Sequence, residues 1–169
     1  TVAPIRRELG VKTFFNMLGP LVNPARPKYQ LVGVFSLELA RLYAYLYQKS
    51  DTKYTILHAL EGYDEISLTC DFKTFSDRGE HIHSIAQLGF EKIDPKKISG
   101  GSTVKESGAI FKSVLAGEGT TEQNNVVICN AAVAIQTIKP QQSFSDCFYE
   151  AEESLQGKKA LLSFKKLVA

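Results

Sequence analysis

The chain has 169 residues, 44% apolar and 22% charged, an ordinary globular mix with enough apolar residues for one sizeable core. Twenty basic and 18 acidic side chains leave a net charge of +2, so there is no electrostatic footprint for nucleic acid and no basic face for a membrane. No apolar run approaches the roughly 20 residues that span a bilayer, and the opening TVAPIRRELG lacks the apolar core of a signal peptide.

The predicted elements follow in chain order. Residues 5–18 carry a helical pattern in Ile5, Leu9, Phe14, Met17 and Leu18, and Gly19-Pro20 ends it. Tyr29 to Phe35, YQLVGVF, predicts a strand buried on both faces. Ser36 is placed to cap a helix whose stripe is Leu39, Leu42, Tyr43 and Leu46. Tyr54 to Leu60 predicts a second buried strand, and strand, helix, strand at this spacing is a βαβ unit with parallel pairing. Short strands over 66–85, broken by SDRG at 76–79, predict a hairpin. Residues 89–101 read as loop. Helices then close the chain, with capping-box spacing at Thr103/Glu106 and Thr120/Gln123. Val126 to Ile138 is apolar nearly all round and predicts a buried central helix. Phe144, Phe148 and Leu155 stripe the next, and Gly157 separates it from a last helix with Leu161, Phe164 and Val168. The fold class expected is α/β, with a mixed, largely parallel central sheet covered by helices, in a single domain over residues 1–169.

Asp64-Glu65, in EGYDEISLT, stands out as a chemical candidate. The doublet follows a strand, and open α/β sheets bind ligands beyond the carboxyl ends of their strands. Adjacent carboxylates repel, and a hard divalent cation such as Mg²⁺, with its waters and substrate phosphates, relieves that repulsion. An exposed acidic turn is the other reading of the same two residues. Arg6-Arg7 cannot share one helix face, so one guanidinium is free to meet a carboxylate in a cleft, or both are simply solvated. LGPLVNP, residues 18–24, is either a rigid wall against a flat ligand or a plain connection, with Pro20 at its centre. His81 and His83 share a strand face with no evident third ligand, and GGS at 100–102 fits a helix start. No nucleophile and base stand together. Cys70, Cys129 and Cys147 are odd in number and far apart, which predicts reduced thiols and a cytoplasmic setting.

IRRELGVKTFFNMLGPLVNPA, YQLVGVFS, GYDEIS and CNAAVAI, in that order, resemble anthranilate phosphoribosyltransferase over nearly the whole chain. RRELG followed by FNxLGPLxNPA is the most specific part. The resemblance implies the C-terminal α/β domain of that enzyme, of the type shared with nucleoside phosphorylases. It implies transfer of the 5-phosphoribosyl group from phosphoribosyl pyrophosphate to anthranilate, in tryptophan biosynthesis. Arg6 takes the position that meets the anthranilate carboxylate, and Pro20 a position near the aromatic substrate. Asp64 and Glu65 take the positions that bind Mg²⁺ with the pyrophosphate. The family's GTGGD-like loop, its KHG element and the helices of its usual homodimer interface are not in this sequence, and position 1 is Thr. The expectation is therefore a C-terminal fragment or separate domain with little or no activity by itself. The alternatives are a pyrimidine nucleoside phosphorylase-like enzyme and a non-catalytic nucleic-acid-binding relative of the same fold.

Overall fold

The computed structural model describes residues 15–169. In it β1 (Tyr29–Gly33), β2 (Lys53–Ala59), β3 (Phe72–Ser76) and β4 (Gly79–His83) form one sheet in the order β1-β2-β3-β4. Five helices accompany the sheet among the described residues: α1 (Leu37–Tyr47), α2 (Val104–Leu115), α3 (Thr121–Ile138), α4 (Phe144–Gln156) and α5 (Lys159–Val168). Short helical turns lie at Phe15–Leu18, Gly19–Val22 and Pro95–Ile98.

Strand β2 explains the layering. Successive side chains of a strand point to opposite faces. Tyr54 and Ile56 enter a core with Leu39, Tyr43 and Tyr47 of α1, while Leu57 and Ala59 enter another with Val126, Cys129 and Val133 of α3. Every position from Tyr54 to Ala59 is buried, so the apolar run shows no alternation. The sheet thus lies between α1 and α3, and each large side chain so buried contributes about 1.5–3 kcal/mol of hydrophobic stabilisation. On the far side of α3, Ile128 packs with Ala151 and Leu155 of α4.

β1 and β2 pair in parallel, with Tyr29 opposite Lys53 and Gly33 opposite Leu57, as the βαβ reading predicts. β2 with β3 and β3 with β4 are antiparallel. The mixed α/β class holds, but the expectation of a largely parallel sheet is corrected to one parallel pairing in three among the described residues. The cause is the connections: no helix stands between β2 and β3, and a tight turn at Asp77-Arg78 joins β3 to β4. The hairpin predicted around SDRG is this β3–β4 pair, but it occupies Phe72–His83 alone; residues 66–71, read as strand, are loop.

β1 is also less buried than predicted. Tyr29 is 44% exposed and Gly33 is exposed, because β1 is the edge strand of the described sheet. The stripe predicted for α1 shifts as well. Ser36 caps the helix as expected, its Oγ accepting from the Leu39 N–H at 3.3 Å. The buried face is Leu39, Ala40, Tyr43, Ala44 and Tyr47, whereas Leu42 and Leu46 are exposed. Ala40 and Ala44 take buried positions beside Tyr43 and Tyr47, which leaves Leu42 and Leu46 on the outer side of the helix. α3 starts with the predicted capping box of Thr120 and Gln123, and Ser143 with Asp146 makes a second box on α4.

Candidate active site

Parallel pairing brings the carboxyl ends of β1 and β2 to the same side of the sheet. The loop of residues 60–71 leaves β2 there. The Gly62 N–H donates to the Ala59 carbonyl at 2.9 Å, and the Ala59 N–H donates to the Tyr63 carbonyl at 3.0 Å, so the chain reverses at once. It then crosses the end of β1. Gly33 meets the backbone of Asp64 there, and a Cβ built on Gly33 would lie 1.6 Å from the Asp64 carbonyl oxygen. A side chain at position 33 would push the loop away; glycine within a strand often marks such a close approach of backbones.

The next residues turn inward. Ile66, Ser67, Leu68, Thr69 and Cys70 are all buried, and Leu68 takes the left-handed conformation with φ of 59°. The Thr69 hydroxyl donates to Glu61 Oε2 at 3.1 Å, and Ser67 Oγ lies 2.8 Å from Thr69 Oγ1. Ile66 has no strand neighbour for its peptide groups. Asn130 of α3 serves instead: its Oδ1 accepts from the Ile66 N–H at 2.9 Å, and its Nδ2 donates to the Ile66 carbonyl at 2.8 Å. Neither Gly33 nor Asn130 figures among the site residues expected from sequence. The available signals were a glycine inside a strand and an amide set within the apolar run of a helix.

Between these two anchors Asp64 and Glu65 stand exposed. Among the described residues neither carboxylate has a cationic partner. Desolvation, and then the neighbouring Asp64 charge, raise the Glu65 carboxyl above the usual range for glutamate. Two unpaired, mutually repelling carboxylates suit a small divalent cation. No group of three or more His, Cys, Asp or Glu side chains is placed to hold a metal among the described residues. Two carboxylates suffice for Mg²⁺, which keeps water and substrate phosphate as its other ligands.

Pro20 lies elsewhere. Its carbonyl accepts from Gln30 Nε2 at 2.8 Å and from the Tyr47 hydroxyl at 3.2 Å. It lines an open cavity of about 690 Å³ with Arg26, Lys28, Asp51 and Thr52, at the amino-terminal ends of β1 and β2. The doublet sits at their carboxyl ends, so the structure does not bring Pro20 and Asp64-Glu65 together. Arg6 and Arg7 lie outside the described residues. His83 Nε2 is 2.8 Å from the Thr74 hydroxyl and its ring stacks on Phe72, so it is held by the hairpin itself. Thr103 caps α2, and the Ser102 N–H donates to Glu106 at 2.7 Å, so GGS at 100–102 leads into a capped helix start. No helix among the described residues is long and apolar enough to cross a membrane.

Comparison with known proteins places this geometry in a family. The glycosyl transferase family, a/b domain, matches residues 1–161. The chain is 55% identical over 166 residues to an anthranilate phosphoribosyltransferase of Christiangramia forsetii, covering 98% of this chain and 50% of that protein. Among solved structures, anthranilate phosphoribosyltransferase from Saccharomyces cerevisiae in complex with PRPP and Mg superposes with a TM-score of 0.83 at 26% identity, over 97% of this chain and 47% of that one. The enzyme from Thermus thermophilus gives a TM-score of 0.84 at 29% identity, over 98% of this chain and 50% of that one. The chain spans about half the length of the relatives it matches. Neither the nucleoside phosphorylase nor the nucleic-acid-binding alternative finds support among these relatives. With the family's pattern running from residue 1 to residue 161, the chain belongs to the glycosyl transferase family, a/b domain.

Proposed function

We propose that this chain is the α/β domain of an anthranilate phosphoribosyltransferase, and that it carries the magnesium–pyrophosphate end of the active site. One observation carries the reading: the loop beyond parallel strands β1 and β2 presents two adjacent carboxylates with no cationic partner among the described residues. The names of the relatives, and the PRPP and Mg of the yeast complex, support it.

Asp64 and Glu65 hold the cation, and Gly33 lets their backbone lie against the strand end. Bound there, Mg²⁺ supplies neutralisation of charge on the departing pyrophosphate. Arg6 orients the nucleophile by its carboxylate, as the resemblance implies. The amine nitrogen of anthranilate forms its bond to ribose C1 as the bond from C1 to the pyrophosphate oxygen breaks, and the proton the nitrogen then sheds passes to water or to the departing pyrophosphate. Positive character at C1 makes the amine sufficient as nucleophile, in keeping with the lack of an evident general base beside the doublet among the described residues. Pro20 stays outside this constellation; its carbonyl ties the turn at Gly19–Val22 to β1 and α1. The single-domain reading over residues 1–169, a homodimer and a cytoplasmic location belong to the same proposal.

Binding of Mn²⁺ together with inorganic pyrophosphate tests the assignment directly. Paramagnetic broadening is expected at the amides of residues 33–34 and 60–67, and Asp64→Ala with Glu65→Ala should weaken binding at least about tenfold, or ~1.4 kcal/mol. Undiminished binding by the double variant would overturn the assignment. Because the chain covers about half of its relatives, little or no consumption of anthranilate is expected from this polypeptide alone. Steady turnover would refute that part.

A further inference from the structure

We propose that Asn130 is a positioning residue of this site: its side-chain amide, reaching from α3, fixes the backbone at Ile66 and so sets where Asp64 and Glu65 stand. The inference rests on the reading of the doublet as the magnesium–pyrophosphate end.

The geometry is that of a strand neighbour supplied by one side chain. Oδ1 accepts from the Ile66 N–H at 2.9 Å, and Nδ2 donates to the Ile66 carbonyl at 2.8 Å. The second hydrogen on Nδ2 goes to the Val126 carbonyl of α3, also at 2.8 Å. Both amide hydrogens are thereby used, and the rotamer is held by the helix itself. Ile66 is fully buried and belongs to the core beneath α3, so its peptide groups have no water to turn to. Leaving them unpaired costs about 1–3 kcal/mol for each buried group.

The position of this clamp gives it a functional consequence. Glu65 is the residue before Ile66, and Asp64 rests on Gly33. The doublet is therefore a two-residue span fixed at both ends, by close backbone contact at Asp64 and by the amide at Ile66. Two like charges repel, and a loose loop would swing them apart. A rigid span keeps them side by side before any cation arrives. Groups that orient metal ligands from behind typically change metal affinity by roughly 10–100-fold when removed.

Thr137 provides the control. It lies on the same helix, and its hydroxyl is 2.8 Å from Thr55 Oγ1 and from the Val133 carbonyl, away from the doublet. Asn130→Ala and Thr137→Val each remove a buried polar tie of α3. Both should lower the urea midpoint. Asn130→Ala should weaken Mn²⁺–pyrophosphate binding by roughly tenfold or more, with Thr137→Val close to wild type. Equal binding by wild type and a folded Asn130→Ala chain would overturn the inference. In the wild type, the Asn130 side-chain amide and the Ile66 amide should shift in NMR spectra on addition of Mg²⁺ and pyrophosphate. Unmoved signals at saturation would overturn it without recourse to any variant. If the wild type binds and the Asp64/Glu65 variant does not, a neutral Asn130→Ala defeats the positioning role alone. If the wild type fails to bind, the reading of the site falls and takes this inference with it.

Discussion

Gly33 and Asp64 occupy a space in which no side chain fits at position 33: the Asp64 carbonyl oxygen sits 1.6 Å from where a Cβ would be. The obstruction is backbone rather than a flexible side chain, so neither partner yields cheaply. Gly33→Ala should lower stability by about 1–3 kcal/mol, the usual cost of overpacking, as measured by urea denaturation. The displaced loop should also lose most of its Mn²⁺–pyrophosphate binding. Normal stability with normal binding would show that the loop does not rest on β1 in solution.

Neutralising the doublet should move stability and binding in opposite directions. Without divalent ions, desolvation and then the Asp64 charge disfavour the charged form of Glu65. Glu65→Gln removes that cost. At pH 7 without divalent ions, the variant should be more stable by about 0.5 kcal/mol, the scale of exposed charge pairs, while binding Mn²⁺ far more weakly. A loss of stability would mean that Glu65 has a favourable partner.

His83 should make the fold acid-sensitive. Burial, and then the nearby His81, hold its imidazole below the ordinary 6.5. The unfolded chain therefore binds this proton before the folded chain does. The contribution of His83 is complete above pH 6.5 and is lost as pH falls through the lowered folded value. His83→Gln should flatten the fall in urea midpoint as pH drops below 6.5. An unchanged pH profile would exclude His83 as its source.

The three thiols should stay silent until the chain opens. Cys70, Cys129 and Cys147 are free and buried, and burial pushes Cys129 up to about 12 and raises Cys147 as well. Thiolate is the reacting form. At pH 8, Ellman's reagent should label none of the three rapidly in the native chain and all three in urea. Fast native labelling of Cys129 would contradict its place between α3 and the sheet.

Much of the fold was legible because its signals are local. The apolar run of β2, the Ser36 cap, the Thr120/Gln123 box and the β3–β4 turn each declare themselves within a few residues. The position of the doublet beyond a strand was also readable, together with the chemistry that two carboxylates suit. β1 is less buried than its apolar run predicts, since a strand's own residues do not tell whether it has neighbours on both edges. The buried face of α1 departs from its leucine stripe because Ala40 and Ala44, weak as hydrophobic signals, take core positions while Leu42 and Leu46 face out.

By itself, then, the sequence determined most of the helices and strands among the described residues, the carboxylate pair, and the family. The tertiary structure decided that Asp64 lies on Gly33, that Asn130 grips Ile66 from 64 residues away, and that Pro20 stands at the opposite end of β1 from the doublet. The physical reason is range. Periodicity and capping act along the chain between near neighbours, whereas close backbone approach and a side chain serving as a strand partner exist once the sheet and α3 have packed together.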